Sequence, residues 1–569
     1  MGHRACAWRW DVAFLVLGYA DEVNTGMKVL CISPVFPETY WGHERTLQFI
    51  GKRSILPPLG LLTVAAMLPR DWEVRLCDMN VRPLEDADLS WADVVFLSGM
   101  LVQRPSMLEV AVRARALGKT IVAGGPHATA TPEALDPFVD SIVIGEAEDL
   151  IAPLCEALLA DRSTLPARFV GTERPDIKKT PTPRYDLLDI DAYHAIGVQW
   201  GRGCPFSCEF CDIVELFGRR PRTKEPAQFC RELDAIVAAG FRGSVFVVDD
   251  NFVGNRKETL GLLGSLTAWM RAHKFPFQFF TEASVDLAGC KDLMAGMVAA
   301  GFDCVFVGIE TPSPAALRET NKGQNLQVDL NAAIETLIRS GLDVNAGFIM
   351  GFDADDKAAL HRQCEWISRS PIPQAMIGIL TALPGTQLER RLRREGRLLE
   401  SASGETFGRA NFKTKVPEST LLETYRATLE QIYSPDEYFA RCLRALRLRP
   451  RADAHFSLPW TYALRCVASS IWRQGVMGTY RRSYWRFLGR TLRHTPKRLA
   501  RAIALACAGE HMIRYTEEAV LPRLTDAIEE VRQEDAEVAR KVSKTVGLHA
   551  RPHLPVISTI DDSVVDASA

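Results

Sequence analysis

Short apolar runs recur along this chain. Between them lie stretches whose apolar positions return every three or four residues. The first pattern reads as strands buried on both faces, the second as amphipathic helices. Lys28–Ile32, Glu73–Asp78, Val94–Ser98, Thr120–Ala123 and Ser141–Ile144 predict strands, with helices such as Leu59–Leu68 and Ser106–Leu117 between them. Strand–helix alternation with continuously apolar strands predicts an α/β fold over 27–160, a doubly wound parallel sheet. Residues 161–195 carry Pro166, Pro175, Pro181 and Pro183 and read as a linker. Alternation resumes over 196–420, with strands at Val198–Trp200, Ser244–Val248, Phe277–Thr281, Cys304–Val307, Asp343–Ile349 and Gln374–Leu380. Helices are expected over Pro226–Ala239, Lys257–His273, Leu287–Ala300 and Leu326–Ser340. Six such units in so short a span predict a partial (β/α)6 barrel, whose sites lie at the carboxyl ends of its strands. Residues 421–515 read as a helical, basic C-terminal domain. Residues 516–569 read as an acidic helix and a tail that is disordered after Leu548.

With 569 residues, two to four domains are expected. Hydrophobic residues make up 47% and charged residues 24%, the balance of a globular protein, and a net charge of −2 says little about partners. The 14 cysteines are scattered, many in apolar contexts, which excludes a small disulfide scaffold and points to a reducing cytoplasm. No run of about 18 apolar residues predicts a membrane-spanning helix. Val12–Ala20, after Arg4 and Arg9, has the outline of a weak signal peptide. Because Met27 opens a clean strand, residues 1–26 are read instead as an extension, disordered or arising from a mis-set start.

The chemistry concentrates in Gln199–Cys211, where Cys204, Cys208 and Cys211 stand at C-x3-C-x2-C. Chance places such a triple in a chain of this composition about 0.01 times. Thiolates suit zinc or iron–sulfur clusters. With no fourth Cys or His close by, three thiolates on a four-iron cluster leave one iron open, as a catalytic metal site requires. A zinc knuckle or three unrelated buried cysteines are the alternatives. The predicted barrel strands end in Asp249-Asp250-Asn251, Glu282-Ala283-Ser284, Gly308-Ile309-Glu310 and Met350-Gly351, loops rich in carboxylates, hydroxyls and glycine. Any one of these carboxylates alone would read as a helix N-cap. In the N-terminal sheet the corresponding turns are Ser98-Gly99, Gly124-Gly125-Pro126-His127 and Gly145-Glu146, at the end where such sheets bind ligands.

The cysteine spacing, with Phe210 before the last Cys, resembles the radical S-adenosylmethionine (SAM) superfamily. The N-terminal turns, with Pro57-Pro58-Leu59-Gly60, resemble the cobalamin-binding domain that precedes many radical SAM domains. The combination is similar to the subgroup containing the bacterial hopanoid C-2 methylase. Thr46–Arg53 and Cys211–Arg219 carry that likeness. The resemblance implies a [4Fe-4S] cluster on Cys204, Cys208 and Cys211. It implies SAM contacts from Phe210, Asp249, Asp250, Glu282, Ser284, Gly308 and Glu310. It implies a cobalamin seat at Ser98, Gly99, Gly124, Gly125, Gly145 and Glu146. It also implies C-methylation of an unactivated carbon, with a small-molecule or lipid substrate and a reductant protein such as flavodoxin or ferredoxin. One departure stands out: the loop that in many cobalamin proteins carries a cobalt-ligating His reads Asp78-Met79-Asn80-Val81-Arg82-Pro83. His127 is a residual candidate ligand, although a turn His satisfying backbone groups is the preferred reading.

Arg219, Arg220, Arg222 and Lys224 follow the cysteines and read equally as a solvated face or as charges facing a cofactor. Between Arg441 and Arg501 basic residues dominate, interleaved with aromatics, and Arg481–Leu499 predicts a basic amphipathic helix. Such a helix is expected at an anionic membrane surface rather than on nucleic acid, so the cytoplasmic protein read from the cysteines is expected to contact the inner membrane peripherally through 441–501. A cap of solvated arginines is the bland alternative. Two other functions stay open on sequence alone: a radical SAM rearrangement or cyclisation without methyl transfer, and a non-catalytic membrane or nucleic-acid binder with a structural metal.

Overall fold

The computed structural model describes residues 26–400, 402–404, 408–450 and 460–548. The N-terminal extension up to residue 25 and the tail after Leu548 lie outside the described residues. The chain forms two compact units. One comprises the described residues up to Phe36 with Pro58–Pro175 and Lys179–Leu188, the other Pro37–Pro57, Asp176–Lys178 and the described residues from Asp189 onward.

The first unit is a six-stranded parallel sheet of β1 (Lys28–Ser33), β2 (Glu73–Asp78), β3 (Val94–Ser98), β4 (Thr120–Gly124), β5 (Ser141–Ile144) and β6 (Arg168–Val170), in the order β2-β1-β3-β4-β5-β6. The central strands β1, β3 and β4 bury both faces because their middle residues are apolar without a break. Leu30, Ile32, Val95, Leu97 and Ile121 feed one core; Val29, Cys31, Val94, Phe96 and Val122 feed the core behind the sheet. Each buried Val or Leu contributes about 1.5–3 kcal/mol, so a strand apolar on both faces anchors two helical layers. The sequence carries no signal for β6, three residues with an exposed pattern. Its pairing with β5, Ile142 opposite Arg168, makes it a strand.

The second unit holds another six-stranded parallel sheet: β7 (Ala195–Val198), β8 (Gly243–Val247), β9 (Phe277–Ala283), β10 (Phe302–Glu310), β11 (Asp343–Met350) and β12 (Ala375–Ile379), in the order β12-β11-β10-β9-β8-β7. This is the expected half barrel. On one face Val245, Val247, Phe279, Val305, Val344 and Phe348 are buried, while the other presents half-buried Phe246, Phe280, Glu282, Phe306, Gly308 and Asn345.

The first barrel strand begins and ends earlier than Val198–Trp200, because the Trp200 amide donates to Asp249 Oδ1 at 2.7 Å instead of a strand partner. The helix expected from Leu287 starts at Lys291, after a tight 3₁₀ turn over Val285–Gly289. The helix expected from Leu326 starts at Leu330, where Asp329 accepts from the Asn331 and Ala332 amides. The helix expected over Arg481–Leu499 ends at His494, two residues before Pro496, which cannot continue it.

Beyond the barrel the chain is helical, through Glu418–Ile432, Pro435–Leu448, Arg481–His494, Leu499–Tyr515 and Leu521–Leu548. Five of the basic residues between 441 and 501 do not form the solvated or membrane-facing surface that the sequence suggested for them. Arg441 is fully buried and donates to the Ile372, Ile432 and Pro373 carbonyls at 2.9, 2.6 and 3.2 Å. Arg444 donates to the Ser368 and Ser370 carbonyls, Arg449 and Arg501 pair with Asp343, and Arg498 donates to the Leu446 and Arg449 carbonyls. Arg441, Arg444, Arg449 and Arg501 fasten the helical layer to the barrel, and Arg498 ties two of the helices to each other. The segment Pro37–Pro57 joins them: Trp41 packs on Phe306 with ring centroids 4.6 Å apart, and His511 Nε2 lies 2.8 Å from the Thr39 carbonyl.

Candidate active site

The loop after β7 carries the three cysteines. Its path depends on Gly203, which adopts φ +94°, and a Cβ there would lie 2.8 Å from the Gly218 carbonyl. The Gly203 amide donates to Asp250 Oδ2 at 2.8 Å, while Asp249 holds Trp200. Both carboxylates thus brace the cluster loop. Neither caps a helix; Asn255 caps the helix Arg256–Ala272.

Two side-chain amides point at the thiols. Asn251 Nδ2 lies 3.9 Å from Cys204 Sγ, and Gln324 Nε2 lies 3.8 Å from Cys208 Sγ. Asn251 also donates to Ser284 Oγ at 3.2 Å, and the Ser284 amide donates to Asn251 Oδ1 at 3.3 Å, so the loops after β8 and β9 meet at Cys204. Lys322 pairs with Glu310 at 2.6 Å, lies 5.9 Å from the Phe210 ring centre and acts electrostatically on all three cysteines. Burial opposes its charge, but Glu310 and Cys208 hold the ammonium above its usual range. Burial also pushes the Cys204 and Cys211 thiols up.

Glu310 has φ +62°. Asn325 fixes that bend by donating to the Gly308 and Ile309 carbonyls at 3.1 and 2.9 Å, and Gln363 donates to the Glu310 carbonyl at 3.1 Å. Burial pushes Asp249 up to about 8, Asp250 to about 6 and Glu282 to about 7, the last helped by the Asp250 and Glu310 charges. Below Glu282 on the same face, Phe246 and Phe280 stack at 4.7 Å. The lumen is aromatic.

A clasp holds the cluster loop from its other side. The helix Gln387–Arg394 gives the Leu388 amide to the Glu209 carbonyl at 2.9 Å and Gln387 to Ser207 Oγ at 2.9 Å. Arg391 binds both Glu209 carboxylate oxygens, at 2.6 and 3.2 Å, and Asp353 at 2.8 Å. The structure therefore brings together Cys204, Cys208, Cys211, Phe210, Asp249, Asp250, Glu282, Ser284, Gly308 and Glu310. Sequence reasoning left Gln324, Asn325, Lys322, Glu209 and Arg391 unassigned. Lys322-Gly323-Gln324-Asn325 sits between strands with no motif of its own, and only the fold turns it toward the thiols. Of the basic run, Lys224 is buried in a pair with Glu232, while Arg219 and Arg222 donate to the Pro205 and Phe217 carbonyls at 3.4 and 3.2 Å. Arg219 and Arg222 thus serve the loop's backbone, while Lys224 ties to the helix Pro226–Ala238.

In the first unit Ser98, Gly99, Gly124, Gly125, Gly145 and Glu146 converge beyond the carboxyl ends of β3, β4 and β5. Gly125 has φ +87°, and a Cβ there would overlap Ser98 Oγ. Glycine is therefore required where the turn after β4 passes the end of β3. Asn80 is spent internally: it donates to the Pro34 carbonyl at 3.1 Å and accepts the Phe36 amide at 2.7 Å. His127 is fully buried, its Nδ1 is 2.8 Å from Thr131 Oγ1, and its Nε2 is buried with no hydrogen-bond partner among the described residues. Burial pushes its imidazole down to about 4.

The donor set fits the cluster. Three free thiols on one loop, two of them met by amide donors and all near one ammonium, suit an anionic iron–sulfur cluster with an open iron.

The B12-binding domain family matches residues 52–154, the radical SAM superfamily residues 198–366, and a domain of unknown function, DUF4070, residues 386–522. The chain is 43% identical to an uncharacterized methyltransferase of Synechocystis over 86% of its length and 92% of the relative's. It is 34% identical to the hopanoid C-2 methylase of Rhodopseudomonas palustris, over 88% and 95% of the two chains. Its fold is similar to that of the radical SAM methyltransferase TsrM of Kitasatospora setae, solved with cobalamin and a [4Fe-4S] cluster bound (TM-score 0.56, 14% identity, 87% and 99% covered). It is also similar to the cobalamin-dependent radical enzyme OxsB (TM-score 0.56, 15% identity, 90% and 84% covered).

Proposed function

The chain belongs to the cobalamin-dependent radical SAM methyltransferases, and on that premise we propose that it methylates an unactivated carbon of a polycyclic lipid of hopanoid type. The observation that carries the substrate class is the 34% identity to the hopanoid C-2 methylase, which runs through 88% of the chain and so takes in the helical C-terminal region. The stacked Phe246 and Phe280 on the half-buried face of the sheet suit a rigid hydrocarbon and repel water.

A cluster held there would supply one-electron reducing chemistry toward SAM, and a bound cobalamin would supply methyl-carrying chemistry. The protein's part is to hold and shield. Cys204, Cys208 and Cys211 would hold the cluster, and Asn251 and Gln324 would donate toward two of their sulfurs. Asp249 and Asp250 fix the loop. Phe210, Glu282, Ser284, Gly308 and Glu310 line the SAM site, with Lys322 balancing the negative charge gathered there. Ser98, Gly99, Gly124, Gly125, Gly145 and Glu146 seat cobalamin. Reducing equivalents come from a flavodoxin or ferredoxin, and a lipid substrate brings peripheral contact with the membrane.

The test is anaerobic turnover of reconstituted enzyme with deuteriomethyl-SAM and a pentacyclic hopene. The expected result is a trideuteriomethylated hopene with 5′-deoxyadenosine released. Release of 5′-deoxyadenosine with a rearranged, unlabelled hopene would favour a non-methylating reaction.

A further inference from the structure

Once the five structural arginines are set aside, the basic C-terminal region resolves into a smaller and more specific surface. The helix Trp460–Ser470 runs into a π-helical turn, Ile471–Val476, and the chain returns through the helix Arg481–His494. The tip of this hairpin is apolar and exposed: Trp472 is 60% and Met477 66% accessible, with Ile471 and Val476 beside them. Trp485 leans onto the tip, its Nε1 donating to the Gly475 carbonyl at 2.9 Å while its ring stays half exposed. Leu492, one heptad later and so on the same side of its helix, is also exposed. Beside this apolar strip stand Arg481, Arg482 and Arg493, all exposed, while Arg486 and Arg490 face the helix Pro435–Leu448. Among the described residues Arg486 pairs with Asp436 at 3.0 Å, and the sequence contains no acid from residue 454 to 509.

We propose that this hairpin is a membrane-docking element that seats Trp472, Met477 and Trp485 in the interface of an anionic phospholipid bilayer. The chemistry selects that occupant. A strip of Trp, Met, Ile and Val flanked by arginines, with no acid in the surrounding sequence, matches the layered order of acyl chain, interface and anionic headgroup. Among the described residues no helix is long and apolar enough to cross a membrane, so the element rests on the surface. The proposal deepens the lipid-substrate reading, since a hopanoid must be taken from a bilayer, but docking is measured without turnover.

The experiment is co-sedimentation of the full chain with phosphatidylcholine vesicles, with and without about 30 mol % phosphatidylglycerol. Wild type is expected to bind the anionic vesicles preferentially and to release as salt rises. Trp472→Ser with Met477→Ser, and separately Arg481→Gln with Arg482→Gln, are each expected to weaken binding at least about tenfold. All four residues are exposed, and an unchanged circular dichroism spectrum confirms folding. Equal binding by wild type and both variants, or no wild-type binding, overturns the proposal. A concentration-dependent dimer lost in the Trp472/Met477 variant, without vesicle binding, also overturns it and gives the strip to a second copy. Vesicle binding without lipid methylation leaves docking standing and sinks only the substrate reading.

Discussion

Arg391 should govern how firmly the cluster loop is held. It bonds both Glu209 oxygens and Asp353, and Glu209 lies between Cys208 and Phe210. The Arg391 side chain is 25% exposed against 9% for Glu209 and 6% for Asp353. Breaking a fully buried ion pair costs about 3–5 kcal/mol, while exposed pairs contribute about 0–1 kcal/mol. This geometry lies between those limits, so Arg391→Ala should cost about 2 kcal/mol, close to thirtyfold in the population of an opened loop. Arg391→Lys keeps the charge but not the fork, and should fall between alanine and wild type. The assay is the rate of iron release to a chelator from anaerobically reconstituted protein, beside urea unfolding. The expected result is faster release with only a modest shift in global unfolding. Release from Arg391→Ala at the wild-type rate would refute the clasp. The clasp should also withstand acid. Burial would raise Asp353, but Arg397 and Arg391 hold it down to about 2, so its contribution is present above the ordinary carboxylate range and is lost only as pH falls through about 2.

Three further outcomes follow from named contacts. Gly203→Ala should abolish cluster incorporation, read as iron per chain, because its Cβ would meet the Gly218 carbonyl at positive φ. Arg441→Met should cost about 3–5 kcal/mol in urea unfolding, since it strands three buried carbonyls. The apo-protein should lose stability as pH rises from 5 to 9. Asp250, Glu282 and Asp249 are raised to about 6, 7 and 8, so the stability they contribute is fully present below the unfolded carboxylate range and is lost as pH climbs through those values. Asp249→Asn should flatten the upper part of that profile.

Much of the architecture was legible because strands with an unbroken apolar run leave few alternatives. Val94–Ser98, apolar through its first four residues, matches the sequence reading at both ends. Errors fell where a side chain overrode periodicity. Trp200 looks like a strand residue but gives its amide to Asp249, and Asp329 starts a helix that hydrophobic spacing alone would begin at Leu326. The cysteines announce themselves through spacing. Gln324, Asn325 and Arg391 do not, because their roles depend on partners more than 15 residues away in sequence. The arginines of 441–501 show the limit most clearly: composition counts charges but cannot tell Arg441, bonded to three carbonyls in the core, from Arg481 in solvent.

The most direct measurement of the central claim is metal and cofactor content after anaerobic purification and reconstitution, in wild type and in Cys208→Ala. The account predicts about four irons and one cobalamin per wild-type chain, with iron lost and cobalamin retained in the variant. Zinc in place of iron, or a fully loaded iron site on a chain that takes up no cobalamin, would contradict it.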